Sequence, residues 1–192
     1  DGAASNYLSG QENKITENRM YSDTHFHFTT MQGRDINGVE VLSKLAERNC
    51  FFALDIGTHA DDLLEHQSAV ENAIAEITDT SLADRARKFM YFSAGIWPDV
   101  TAIKNRNLEI KTLCEYIKKA DDADITDGDT LHRKIIAIGE CGLDHHWNPS
   151  GVDGRTESDF DRKMYEAEKE FFAMQLELAH SMNLPVIVHS RD

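Results

Sequence analysis

Apolar residues in this chain fall into short, nearly continuous runs separated by segments whose apolar positions recur at helical spacing. The runs lie at 20–27, 51–57, 89–96, 134–140 and 184–189. Phe51-Phe52-Ala53-Leu54-Asp55-Ile56-Gly57 is typical: mostly apolar and closed by a glycine, as in a strand covered on both faces. Between the runs, Val41, Leu42, Leu45 and Ala46 form a stripe behind a capping Asn37. Leu63, Leu64, Gln67, Val70, Ala73, Ile74 and Ile77 form a second stripe, in a helix starting near Asp61. Leu113, Cys114 and Ile117 follow a capping Asn107, and the stripe from Met164 to Met182 predicts a long helix over 161–183. Strand and helix thus alternate, which predicts βαβ units and a parallel sheet.

Right-handed crossovers leave two architectures, an open doubly wound sheet or a (β/α) barrel. No G-x-G-x-x-G or P-loop pattern follows any of the five runs. Ligand-type side chains close several of the runs instead, which is the arrangement of a (β/α)8 TIM barrel. The chain supplies about the first five strands of such a barrel. Residues 1–19 are polar and without period and are expected to form a flexible extension; residues 20–192 form the partial barrel domain. Residues 121–129 are acidic, with a turn signal at Asp127-Gly128, and are expected to be a solvated loop.

The candidate chemistry sits at the strand ends. His25 and His27 are spaced i, i+2, which in a strand puts both imidazoles on one face. Such a pair is either half of a metal site or two exposed strand-end residues. Glu140 closes the fourth run and His189 the fifth, so three imidazoles and a carboxylate share one rim, the donor set of a hydrolytic metal centre. Glu140 can bridge two cations that together activate a water. Asp23, on the face of His25 and His27, is a candidate for a supporting hydrogen bond, with an ordinary strand-end role as the alternative. Arg191, Asp144 and His59 are weaker substrate-side candidates, and for Arg191 a structural ion pair is the competing fate. Cys141 is read as packing, His145 and His146 as rim-loop residues, and His66, His132 and His180 as structural or solvated.

Composition narrows the partners. The 192 residues are 41% apolar with a formal charge of −14, which disfavours sequence-independent coating of nucleic acid by basic patches. It does not exclude a nucleic-acid substrate, because bound cations can supply local positive charge. Three widely spaced cysteines, Cys50, Cys114 and Cys141, suit a reducing compartment. No run approaches the length of a membrane span, no membrane partner is expected, and the expected location is cytoplasmic.

Four stretches in order, Asp23-Thr24-His25-Phe26-His27, Gly95-Ile96-Trp97-Pro98, Ile138-Gly139-Glu140-Cys141-Gly142-Leu143-Asp144 and Pro185-Val186-Ile187-Val188-His189-Ser190-Arg191-Asp192, resemble the TatD family of metal-dependent hydrolases in the amidohydrolase superfamily. The resemblance implies a TIM barrel and a deoxyribonuclease dependent on two divalent ions, such as zinc, magnesium or manganese. It implies that His25 and His27 hold one ion, that Glu140 bridges to a second, and that His189 helps hold the second. The implied substrate is DNA, single-stranded or at a 3′ end, cut with low sequence specificity. An ester or amide hydrolase on the same scaffold, and a non-catalytic metal-binding fragment, are the alternatives. Trp97 stands where the family usually carries histidine, and the family's further histidine and aspartate ligands lie beyond the fifth strand. The expectation is therefore that the remainder of the barrel is missing from this chain, or supplied as a separate polypeptide.

Overall fold

The computed structural model describes residues 20–123, 135–144 and 162–191. Five parallel strands run in the order β1-β2-β3-β4-β5: β1 Tyr21–Phe26, β2 Cys50–Asp55, β3 Met90–Ala94, β4 Ile135–Asp144 and β5 Val186–Arg191. Seven helices are described: α1 Phe28–Gln32, α2 Gly38–Glu47, α3 Leu63–Ala75, α4 Thr80–Phe89, α5 Val100–Lys104, α6 Arg106–Ala123 and α7 Arg162–Met182. Spatial order equals chain order, so no strand doubles back across the sheet as in a doubly wound fold. Neighbouring strands lie ~4.8 Å apart, so a flat sheet would hold β1 and β4 roughly 14 Å apart. Yet His25 Nε2, at the end of β1, lies 3.0 Å from Glu140 Oε2 on β4. The sheet must curl, and it is the open first part of a (β/α)8 barrel.

The core lies between the sheet and its helices, built on Phe28, Leu42, Phe89, Phe92 and Phe171, all at most 2% exposed. Glycines bring the later strands together. A Cβ on Gly95 would strike the backbone of Gly139, and one on Gly139 would strike Ile187. Gly139 also adopts φ +141°, which side chains resist. These close approaches let β4 run on to Asp144, four residues past Glu140, with Gly142 opposite His189 and Asp144 opposite Arg191.

Several boundaries depart from the sequence pattern. The helix expected from Asp61 is α3, and a further helix, α4, follows it, with Asp79 capping α4 by accepting from the Ser81 and Leu82 amides. The buried face of α4 is Ala83, Ala86 and Phe89, two of them too small to stand out as a stripe. Phe89 therefore ends a helix instead of starting a strand. Asn107 lies inside α6, and the cap in that region is Asp99, which opens α5. Asp121 and Asp122 belong to the end of α6 instead of a loop. The extension 1–19, the turn at Asp127-Gly128, His132, His145, His146 and the polar segment 148–158 lie outside the described residues. Among the described residues, no helix is long and apolar enough to cross a membrane, and Cys50, Cys114 and Cys141 are free thiols.

Two buried polar clamps dock helices onto the sheet. Gln175 on α7 accepts from the Ile96 amide at 2.8 Å and donates to the Ile96 carbonyl at 3.0 Å, pinning the segment after β3. His66 on α3 places Nδ1 3.1 Å from Asp55 Oδ2, and its Nε2 lies 3.1 Å from Thr29 Oγ1 and 3.7 Å from Asp62 Oδ2. Burial disfavours a charge on this ring, but Asp55, then Asp62 and Glu65, outweigh it, so its pKa lies above 6.5.

Two stability measurements test the clamps. Gln175→Ala leaves two buried backbone groups unpaired and should cost about 2–4 kcal/mol in urea unfolding, with Gln175→Glu recovering little because a carboxylate cannot donate to the carbonyl. For His66, a raised folded pKa adds stability that is complete below pH 6.5 and is lost as pH rises through the folded value. The stability gap between wild type and His66→Gln should be widest near pH 6 and shrink toward pH 9; a gap constant with pH would contradict the charge assignment.

Candidate metal centre

The curl brings together side chains that are far apart in sequence. β1 ends at Phe26, and the chain turns at once into α1 with His27 as its capping residue. His25 and His27 lie edge to face with ring centroids 5.2 Å apart. The ligand atoms of His25, His27 and Glu140 all fall within 4.8 Å of one another. His189 stands on the other side of Glu140, its Nδ1 3.1 Å from Oε1. Glu140 thus gives one oxygen to the His25 side and the other to His189. Its backbone amide donates to the Gly57 carbonyl at 2.8 Å, which ties β4 to the end of β2.

Behind His189 lies a buried carboxylate. Asp144 Oδ2 is 3.1 Å from His189 Nε2, and Arg191 grips both Asp144 oxygens, with Nε at 2.9 Å from Oδ1 and an Nη at 2.8 Å from Oδ2. The Asp144 amide donates to Glu168 on α7. Trp97 packs edge-on against His189 at 5.8 Å, and its amide donates to the Thr58 carbonyl.

A neutral imidazole has one N–H donor. His189 meets a carboxylate at each nitrogen, so one nitrogen faces an acceptor unless a proton or a cation lies between them. His27 Nδ1 is 3.3 Å from the Ile56 carbonyl, and donation there leaves its Nε2 lone pair for a ligand bond. Two imidazoles, a shared carboxylate and a third imidazole fit a divalent cation by both donor type and arrangement.

The remaining sequence candidates occupy other places. The Asp23 carboxylate accepts from the backbone amide of His25 at 3.1 Å and so supports the strand end, not the ring. His59 lies with Asp62, 3.8 Å away, which together with other nearby acids raises its pKa against the effect of burial. It lines a cleft of about 470 Å³ with Asp61, Ile96, Asp99, Leu108 and Glu109. Burial, and secondarily the Glu140 charge, push the Cys141 thiol up to about 12, which leaves it protonated at neutral pH. Asp55 and Asp62 carried no role in the sequence reading. An acid closing an apolar run was the available signal, and Asp55 fits it as well as Glu140 does.

Comparison with known proteins bears on the family and the fold. A protein from Bacillus subtilis (strain 168), described as the uncharacterized metal-dependent hydrolase YabD, is 41% identical over 63 residues, which is 33% of this chain and 20% of that protein. The crystal structure of an uncharacterized amidohydrolase from Saccharomyces cerevisiae superposes with a TM-score of 0.52 at 20% identity, over 90% of this chain and 48% of that one. The chain therefore spans about a fifth and about half of the lengths of these two relatives. Residues 22–192 match the family described as TatD related DNase, and the chain belongs to that family.

Proposed function

We propose that this chain carries the first part of the active centre of a divalent-metal-dependent hydrolase that cleaves phosphodiester bonds in DNA. The observation that carries the reading is the divided carboxylate of Glu140, one oxygen 3.0 Å from His25 and the other 3.1 Å from His189. In this reading His25, His27, Glu140 and His189 would hold the divalent ions. Divalent ions at such a centre supply Lewis acidity to the phosphoryl group and make water acidic enough to attack at neutral pH. The chain's own groups set the donors. The Ile56 carbonyl holds a proton on His27 Nδ1, and Asp144 holds one on His189 Nε2, so that Nε2 of His27 and Nδ1 of His189 face the centre as lone pairs. His25, 45% exposed at its side chain, leaves an open approach for substrate. Single-stranded or 3′-end DNA, cut without sequence preference, is the proposed substrate.

An ester or amide substrate is the second reading, and the cleft lined by His59 and Ile96 favours it. Asp61, Asp99 and Glu109 line that cleft, and burial followed by the charges of Asp99 and Asp61 raises the pKa of Glu109. A field of that sign repels a polyanion. The reading that remains, a metal-binding fragment without turnover, rests on the share of its relatives' length that the chain spans.

Glu140→Ala should lower manganese or zinc affinity by more than about 100-fold and abolish any hydrolysis. Isothermal titration checks the first and turnover assays the second, and full activity in this variant would refute the proposal. Assaying single-stranded DNA beside small esters and amides should show metal-dependent cleavage of DNA alone. Ester hydrolysis without DNA cleavage would select the second reading, and metal binding with neither activity the third.

A further inference from the structure

His27 is both a proposed ligand and the residue that caps α1, yet its side chain makes no capping hydrogen bond. A helix start leaves backbone N–H groups without intrahelical partners. The first of these here is the Phe28 amide, and it donates to Asp55 Oδ1 at 2.9 Å. Asp55 is wholly buried and stands at the end of β2, across the sheet from the start of α1. The same two segments share two further bonds, from the Ile56 amide to the Phe26 carbonyl at 3.0 Å and between His27 Nδ1 and the Ile56 carbonyl at 3.3 Å. The imidazole thus sits between two backbone attachments to the end of β2.

The second oxygen of Asp55 faces His66 on α3, and Thr29 Oγ1, on α1 itself, meets the other nitrogen of that ring. His66 is 7% exposed. The path closes on itself: α1, Thr29, His66, Asp55, and back to the Phe28 amide. None of these three side chains is among His25, His27, Glu140 and His189, and none is needed to build a sheet.

Resting on the reading that His27 is a metal ligand, we propose that Asp55, paired with His66, which Thr29 meets in turn, is a positioning group that fixes the turn carrying His27 and thereby sets the affinity of the centre. The Asp55 carboxylate takes the place of the cap that a ligand histidine cannot supply, because a ring that reaches for a cation cannot also turn back to its own helix. His66, its Nδ1 3.1 Å from the second carboxylate oxygen, keeps the carboxylate oriented.

The test is a zinc titration of the 192-residue chain, using a chromophoric chelator as competitor, with each variant's thermal stability measured alongside. Asp55→Asn, His66→Gln and Thr29→Val should weaken zinc binding by about 10–100-fold, the size expected for partners that orient a ligand. Leu113→Ala, a core change on α6 outside the hydrogen-bonded path through Thr29, His66 and Asp55, should lose comparable stability while keeping zinc affinity within about twofold. If Asp55→Asn does not fold, His66→Gln and Thr29→Val carry the same comparison, since Thr29→Val removes only one hydroxyl. Wild-type affinity in the folded variants, or an equal loss in Leu113→Ala, would overturn the inference and leave the metal reading intact. Failure of the wild-type chain to bind zinc or manganese would overturn the metal reading, and this inference with it.

Discussion

The arrangement turns on one carboxylate that the fold has nearly removed from water. Glu140 is 8% exposed, and a buried charge is costly unless it is met by groups of the opposite sign or by donors. What meets it is an imidazole on each side, one from the first strand of the sheet and one from the last. A carboxylate on β4 can reach β1 only if the sheet bends around it, and the glycine contacts between β3, β4 and β5 make room for the bend. Removing the compensation breaks more than a contact, because the charge stays buried without a partner.

The fold was legible where side chains are large and the pattern is strong. Five apolar runs mark five strands, and the alternation with helices gives their parallel pairing. The pattern failed where burial is achieved by small residues. Ala83 and Ala86 bury α4 without a visible stripe, and α1 is too short to show a period. It also fell short at β4, where the run was read to end at Glu140 but the strand continues to Asp144, with Gly139 and Gly142 as points of backbone approach.

Within the site, the legible residues were those whose type announces chemistry. His25, His27, Glu140 and His189 stand out because histidine or glutamate is unusual at the end of an apolar run. Asp144 and Arg191 were noticed, but only geometry shows that Arg191 is spent on Asp144, and Asp144 on His189. Asp55 shared with Glu140 the signal of an acid late in an apolar run, but its pairing with His66 was not legible. Eleven positions apart and on different elements, they have no spacing that signals a pair, and a histidine in a helical stripe has the look of packing. Their juxtaposition is a product of α3 docking on β2, which no local pattern encodes.

The capping of α1 from across the sheet bears on when the site comes into being. A helix of five residues has no independent stability, and its first amide finds its acceptor on a strand that follows it by more than twenty residues. The turn that carries His27 therefore cannot order itself as the chain emerges; it has to wait for β2 to pair and for α3 to dock. Transplanting the His-x-His segment onto a foreign strand would carry the two imidazoles but leave their support behind. In this protein the proposed cation site is assembled by tertiary structure, and the histidines are only its most visible part.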